Sequence, residues 1–160
     1  MKTAIIYVSK HGTTEKTARE IQEGLGIDNT QLFNLKDNKI VDLSIFDQII
    51  LGGSIHAGMI QNRIKDFYNK NMTYLMEKRL DLFISCFYEG ETAQNQLEKA
   101  YPEKLRKHAI CSKVMGGEML MESMNFFEKV IVKKVAGITQ SESRIKHENI
   151  QSFITEIKNL

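Results

Sequence analysis

Five short apolar runs alternate with longer amphipathic segments along this chain, and that alternation limits the folds available to it. The runs are residues 3–8, 30–35, 48–53, 80–87 and 109–115. Their β-branched and aromatic residues are typical of strands buried on both faces of a parallel sheet. The amphipathic segments are residues 13–25, 61–71, 92–107 and 147–160, the third interrupted near Pro102. This pattern predicts an α/β domain whose right-handed crossovers place helices on both faces of the sheet.

Length and composition narrow the class of protein further. The chain has 160 residues, of which 42% are hydrophobic and 26% charged, so we expect one globular domain rather than a disordered chain. A net charge of +2 without a basic stripe excludes the usual nucleic-acid binder. No apolar run approaches the roughly 18 residues of a membrane span, and the first run is too short for a signal peptide. We therefore expect a cytoplasmic protein.

The two cysteines, Cys86 and Cys111, lack the Cys-x-x-Cys spacing and the nearby histidine pair of zinc sites. They fall at opposite ends of the predicted parallel sheet, which argues against a disulfide. We predict no metal site, and we expect both cysteines to be small core residues.

The loops after the strands carry the information about function, because parallel sheets bind ligands beyond the carboxyl ends of their strands. The first such loop opens a helix and contains Ser9, Lys10, His11, Gly12, Thr13 and Thr14. Three hydroxyls, a glycine and the free N–H groups of a helix N-terminus suit an anion, and Lys10 adds a cation. The alternative is a simple helix cap, which requires only one hydroxyl. The G-x-G-x-x-G and Walker patterns are absent.

Two patterns resemble known families. Ser9-x-x-Gly12-x-Thr14 after an apolar strand resembles the FMN phosphate loop of flavodoxins. The segment Gly52-Gly53-Ser54-Ile55-His56-x-Gly58, and about twenty extra residues from Gly117 to Ile138, are similar to flavodoxin-like menaquinone-dependent protoporphyrinogen dehydrogenases. The resemblance implies one flavodoxin-like domain over residues 1–160. It also implies a doubly wound sheet of five parallel strands in the order 2-1-3-4-5, with an insertion at about 117–138.

The resemblance implies FMN as the cofactor and assigns residues to it. The loop from Ser9 to Thr14 would wrap the phosphate. The isoalloxazine ring would lie between two further loops: Ser54, Ile55, His56, Ala57 and Gly58 on one side, and Ser85, Cys86, Phe87, Tyr88 and Glu89 on the other. Phe87 or Tyr88 would supply the aromatic wall for the flavin. His56 is the candidate catalytic residue, because a histidine in such a loop can relay a proton.

The insertion carries an apolar stripe with several interpretations. Its apolar residues recur at spacings of three and four, and three lysines lie among them; the residues are Leu120, Met124, Phe127, Ile131, Val135 and Ile138, with Lys129, Lys133 and Lys134. The stripe fits a helix packed on the sheet edge or a homodimer contact. It equally fits a cover for a porphyrin or quinone, or a peripheral contact of residues 118–138 with the inner face of the membrane.

Two functions follow from the resemblance. The first is an FMN-dependent oxidoreductase of the protoporphyrinogen dehydrogenase type, in which a porphyrinogen reduces the flavin and a quinone or other acceptor reoxidises it, as in heme biosynthesis. The alternative is a non-catalytic flavodoxin that carries electrons between redox partner proteins. Flavodoxins that carry electrons are commonly acidic, so the pI of about 8.5 and the insertion favour the enzyme. The hydroxyl-rich first loop disfavours a third reading, a binding module that has lost FMN.

Overall fold

A computed structural model describes residues 1–37 and 41–159 of the chain. Its strands are β1 (Thr3–Tyr7), β2 (Thr30–Asn34), β3 (Gln48–His56), β4 (Met59–Ile60), β5 (Arg79–Ser85), β6 (Cys111–Val114), β7 (Glu118–Met119) and β8 (Glu142–Ser143). The five long strands form a parallel sheet in the order β2-β1-β3-β5-β6, and β4 pairs antiparallel with β3. This confirms the predicted α/β class and the predicted order of the parallel strands.

Helices cover both faces of the sheet, as the alternation predicted. The α-helices are α1 (Thr13–Leu25), α2 (Asn62–Lys70), α3 (Met72–Glu77), α4 (Gly90–Ala100), α5 (Glu103–His108), α6 (Phe126–Ala136) and α7 (His147–Lys158), and all of these but α6 contribute buried residues to the core. On β1, Ile5 belongs to the core under α1 and α7, whereas the next residue, Ile6, belongs to the core under α2 to α5. Alternate residues thus supply two cores, and each fully buried aliphatic side chain contributes about 1.5–3 kcal/mol. Pro102 separates α4 from α5 at the predicted interruption.

The double glycine at the end of the apolar run in β3 allows close packing at the centre of the sheet. A Cβ atom at Gly52 would lie 2.0 Å from the Phe83 ring, and one at Gly53 would lie 2.7 Å from the Ile60 side chain. Both neighbours are fully buried or nearly so. The glycines therefore let Phe83 and the short strand β4 pack directly against the backbone near the carboxyl end of β3.

The structure of the predicted insertion differs from the one that its sequence pattern indicates. The stripe predicted one helical face from Leu120 to Ile138, but the segment forms a 3-10 turn at Met121–Ser123 and an α-helix, α6, only from Phe126 to Ala136. Asn125 and Glu128 form a capping box: the Asn125 Oδ1 accepts from the Glu128 backbone N–H at 2.9 Å, and the Glu128 Oε2 accepts from the Asn125 backbone N–H at 3.0 Å. That cap starts the helix at Phe126. The segment also extends past the predicted boundary, because β7 pairs with β8 and closes it at Ser143.

Prediction from sequence missed four small elements. Helix α3 has only six residues, and the strands β4, β7 and β8 have two residues each. Such short elements carry too few residues to show a period. Among the described helices, none combines the length and apolar character that a membrane span requires.

Candidate functional site

Three loops meet at the carboxyl edge of the sheet. Loop 1 (residues 8–12) follows β1, and loop 3 (residues 86–89) follows β5. Loop 2 (residues 54–59) comprises the end of β3, the turn at residues 57–58 and the first residue of β4. Strand β3 pairs with β1 on one side and β5 on the other, so the three loops are neighbours. The structure brings the predicted site residues together at one edge of the sheet. It also brings the start of the insertion to the same edge, because the Cys86 N–H donates to the Gly116 carbonyl at 2.9 Å.

Loop 1 curls into the N-terminus of α1. The Ser9 hydroxyl oxygen accepts from the Gly12 N–H at 3.1 Å, and Gly12 adopts a left-handed conformation with φ of 93°. Among residues 1–37 and 41–159, no side chain caps α1, so its first-turn N–H groups lack a side-chain acceptor there. A Cβ atom at Gly12 would meet no atom within 4 Å, so the glycine is required for its backbone angle rather than for space.

Thr14 is the informative residue of loop 1 and α1. Its side chain is 1% exposed, and its hydroxyl has no hydrogen-bond partner among the residues that the structure describes. An unpaired buried hydroxyl costs about 1–3 kcal/mol; Thr17 and Ser85 have one as well, but Thr14 is the one of the three in the first turn of α1. A hydroxyl at an uncapped helix N-terminus fits an anionic group, and a phosphate ester such as that of FMN is a suitable one.

The insertion occupies the outer side of loop 1. The Thr13 hydroxyl donates to Glu118 Oε2 at 3.0 Å, and Lys16 forms an ion pair with the same carboxylate at 3.0 Å. Lys10 forms an ion pair with Glu128 of α6. The cation that Lys10 was predicted to add to the anion site is thus partly offset by Glu128.

Loop 2 is tied to loop 1 by a residue that the sequence did not single out. The Ser54 N–H donates to Gln61 Oε1 at 2.7 Å, and the Gln61 side-chain amide donates to the Val8 carbonyl at 3.4 Å. Gln61 therefore fixes the distance between the two loops. A glutamine just before a helix carries no pattern that sequence reasoning could use, since its partners lie seven and fifty-three residues away.

The tip of loop 2 is a tight turn made by Ala57 and Gly58. Both residues have positive φ, 48° and 76°, and they join the paired residues His56 and Met59. Two positive φ angles in a two-residue hairpin are typical of a type I′ turn. Alanine is disfavoured at the first position because its Cβ atom approaches the backbone in this conformation.

His56 faces loop 1 from loop 2. Its Nε2 lies 2.9 Å from the Ser54 hydroxyl, and its ring centre lies 6.1 Å from that of His11. Desolvation by the surrounding loops, with additional effects of His11 and Lys10, lowers the pKa of His56 below its usual 6.5. At neutral pH the His56 imidazole is neutral, so it can accept a proton.

The predicted site residues at the end of β5 and in loop 3 divide into buried and exposed ones. Ser85 and Cys86 are buried, and burial raises the pKa of the Cys86 thiol. The Ser85 hydroxyl also has no partner among the described residues.

Cys86 and Cys111 are both buried and unpaired with each other, as predicted. Within residues 1–37 and 41–159, no group of three or more histidine, cysteine or acidic residues could hold a metal ion.

The two aromatic residues of loop 3 are not equivalent. Phe87 is buried, and the Arg144 guanidinium carbon lies 4.2 Å from the centre of its ring. Tyr88 is exposed, and Glu89 beside it pairs with Lys146 at 3.2 Å. The Phe87 face that Arg144 covers cannot stack on a flavin, so Tyr88 is the better of the two predicted walls. Sequence reasoning missed Arg144, which reaches Phe87 from beyond the insertion.

Comparisons with known proteins agree with this architecture. The chain resembles, at 24% identity and a TM-score of 0.51, a solved flavodoxin from the domain Archaea, with 72% of this chain and 78% of that one covered. It resembles flavodoxin 1 of Bacillus cereus at 20% identity and a TM-score of 0.54, with 100% and 99% covered. No curated protein sequence matches the chain.

A larger protein contains the same fold as one part. The rubredoxin oxygen:oxidoreductase of Desulfovibrio gigas matches at 16% identity and a TM-score of 0.59, and 98% of this chain covers 34% of that one. Identities this low show the fold alone. A family model described as a flavodoxin domain matches residues 4–146, which is most of the chain. The chain belongs to the flavodoxin-domain family.

Proposed function

We propose that this protein binds FMN at loops 1 to 3 and transfers electrons through it. The observation that carries the proposal is the buried Thr14 hydroxyl without a protein partner at the uncapped N-terminus of α1. The residues present fit the group: the Thr14 hydroxyl and the first-turn N–H groups of α1 would bind the phosphate. Bound FMN would supply the ability to accept electrons from one partner and pass them to another.

The other two loops would position the ring. Loop 2 would lie along one side of the isoalloxazine, held in place by the Gln61 hydrogen bonds. Loop 3 would lie along the other side, with Tyr88 as the exposed aromatic surface. His56 is the proposed proton acceptor, because its exposed ring lies on loop 2 facing loop 1, with Nε2 2.9 Å from the Ser54 hydroxyl.

The reaction class we favour is oxidation of a porphyrinogen with a quinone as acceptor. Two observations support an enzyme over a carrier. The net charge of +2 does not provide the acidic docking surface common in electron-carrying flavodoxins. The insertion contacts α1 through Glu118 and loop 1 through Glu128, so it lies where it could shape a substrate site.

The second candidate is an electron carrier between redox partner proteins. The structural similarity to flavodoxins favours it, since those proteins cover most of the chain. In this case the exposed edge of the flavin site would dock a partner protein, and His56 would have no catalytic role.

One deletion separates the two candidates. The Gly117 carbonyl accepts from the Arg144 N–H at 2.8 Å, so residues 118–143 can be replaced by a two-residue turn without moving either end. The intact protein, loaded with FMN, is assayed for porphyrinogen oxidation with a menaquinone analogue. An enzyme should show turnover that the deletion abolishes while FMN binding and thermal unfolding persist. If the intact protein lacks turnover but rapidly accepts electrons from a ferredoxin reductase, the carrier is correct.

A further inference from the structure

Helix α6 leaves its apolar side chains in solvent. Phe126, Phe127, Val130, Ile131 and Val135 range from 38% to 77% exposed, and no residue of α6 is buried. The rings of Phe126 and Phe127 touch each other edge to face, with centres 5.9 Å apart. Adjacent exposed large apolar residues on a folded domain mark an interaction surface.

The exposed residues share one side of the helix. At 100° per residue, these five apolar residues, Lys133 and Lys134 fall within roughly half of the circumference. Val132 and Ala136 lie on the opposite side and are half-buried against the protein. The exposed side is therefore an apolar face that also contains two lysines.

The charge of α6 is positive. Lys129, Lys133 and Lys134 form no ion pair with any residue in the described part of the chain. Glu128, the one acidic residue of α6, is paired with Lys10 of loop 1. Glu122, just before the helix, accepts from the Ser141 hydroxyl at 2.7 Å. That hydrogen bond, together with the charge of Lys129, lowers the pKa of Glu122. Lys133 and Lys134 thus lie on the apolar face without an ion-pair partner among the residues that the structure describes.

We propose that α6 docks on an anionic lipid bilayer and lies in the plane of its interface. Eleven residues cannot span a bilayer, but a short helix with phenylalanines on one face and lysines beside them is suited to the headgroup boundary. The stem of Lys134 would lie along the apolar face while its ammonium reaches the headgroups.

A second copy of this chain is a poorer occupant of the same face. A two-fold contact through α6 would bury Lys133 and Lys134 of both copies, while Glu128, the one acidic residue of α6, is already paired with Lys10. An anionic bilayer instead satisfies the apolar and the cationic residues together.

Docking through α6 would bring the candidate flavin site close to the membrane. The first turn of α6 is joined to loop 1 by the ion pair between Glu128 and Lys10. The docking itself does not require FMN, so apoprotein and FMN-loaded protein should both bind vesicles. A failure of FMN binding and a failure of docking are therefore separate results.

A tryptophan reporter gives the first test. The chain has no tryptophan, so Phe127→Trp places a single fluorophore on the α6 face. Ile27→Trp is the matched control, because Ile27 is exposed but lies just before β2 at the amino edge of the sheet. With vesicles of equal parts phosphatidylglycerol and phosphatidylcholine, we expect a blue shift for Phe127→Trp and none for Ile27→Trp. With pure phosphatidylcholine the shift should be much smaller.

Vesicle co-sedimentation of the full chain gives the second test. Phe127→Ser/Ile131→Ser and Lys133→Glu/Lys134→Glu should each weaken partitioning to anionic vesicles by about tenfold or more. The controls Ile27→Ser and Lys104→Glu/Lys107→Glu alter exposed residues elsewhere and should leave partitioning unchanged. Circular dichroism checks that each variant is folded.

Three results would overturn the proposal. One is equal partitioning of wild type and α6 variants. Another is absence of binding to anionic vesicles together with a dimer, in sedimentation velocity, that Phe127→Ser/Ile131→Ser dissolves, which would assign the face to a second copy. The third is absence of vesicle binding by a monomer, with saturable binding of an acidic partner protein that Lys133→Glu/Lys134→Glu abolishes.

Discussion

Helices α6 and α7 have similar lengths, eleven and twelve residues, and both carry apolar stripes, yet their surroundings differ completely. In α7, Ile150, Phe153, Ile154 and Ile157 are buried on the sheet beside α1. In α6 no residue is buried. The sheet has two faces, and α1, α7 and the group α2 to α5 cover them. A stripe therefore predicts which side of a helix seeks a partner, but the partner depends on the surface that remains uncovered.

The largest expected effect comes from replacing one phenylalanine in each of these two helices. Phe153 is 0% exposed, whereas Phe127 is 77% exposed. Phe153→Ala should lower the free energy of unfolding by about 3–5 kcal/mol, because it leaves a cavity between α7 and Phe83. Phe127→Ala should change it by less than about 0.5 kcal/mol. Urea unfolding of both variants measures the difference, and a comparable loss in each would mean that α6 is packed after all.

The same contrast explains what could be predicted from the sequence. The strands and α7 could be predicted from the sequence. Burial in the sheet gives each strand a continuous apolar run, and burial of one side against the sheet gives α7 its apolar stripe. Loop 1 was also predictable, because hydroxyls and a glycine directly after a strand indicate a turn into a helix N-terminus from neighbouring residues alone. The extent of α6 was not, since Leu120 and Met124 continue the spacing while the Asn125 capping box starts the helix later.

Contacts across long sequence separations were the other part that the sequence did not reveal. Arg144 covers Phe87, and Gln61 joins Val8 to Ser54. Each of these side chains is unremarkable in its local sequence and gains its role only when the fold brings distant segments together. The pairing of Lys10 with Glu128 is of the same kind.

The next test concerns how the insertion is held. If carboxylates rather than apolar packing hold α6, then Glu128→Gln should loosen it. Exposed ion pairs contribute little, so we expect a two- to fivefold faster protease cleavage within residues 119–141, about the effect of one such pair. Glu122→Gln is the matched control, because Glu122 bonds to Ser141 within the insertion instead of loop 1. Equal cleavage of both variants would contradict the role of Glu128.

The pH dependence follows from the same contacts. Burial alone would raise the pKa of Glu118, but hydrogen bonds from Lys16, Thr13 and Ser143 outweigh it and hold the pKa below the usual 4.5. The carboxylate therefore stabilises the contact above pH 4.5, and that stabilisation is lost as the pH falls through the lowered pKa. Hydrogen exchange, corrected for its intrinsic rate, should show that β7 opens on acidification in wild type and is already open at neutral pH in Glu118→Gln. Identical protection of β7 in both proteins would exclude this ionic contact.

The smallest effects are expected at two positive-φ positions, one in the site and one in the insertion. Ala57→Gly should raise the free energy of unfolding by about 0.5 kcal/mol, because relief of left-handed strain exceeds the added chain entropy. Gly137→Ala introduces the same strain at the end of α6, where φ is 67°. It should fray α6 without changing the cooperative unfolding transition. Thermal unfolding followed by circular dichroism tests both, and a decrease in stability for Ala57→Gly would contradict the strain at loop 2.

The most direct test of the proposed function is a titration of apoprotein with FMN and with riboflavin, which lacks the phosphate. Thr14→Val should weaken FMN by roughly 1–3 kcal/mol, a loss of about tenfold or more in affinity, and leave riboflavin affinity unchanged. Thr17→Val is the matched control, since Thr17 also has a buried unpaired hydroxyl but lies one turn further along α1. It should bind FMN like wild type. Unchanged FMN affinity in Thr14→Val, or equal losses for FMN and riboflavin, would contradict a phosphate site at the N-terminus of α1.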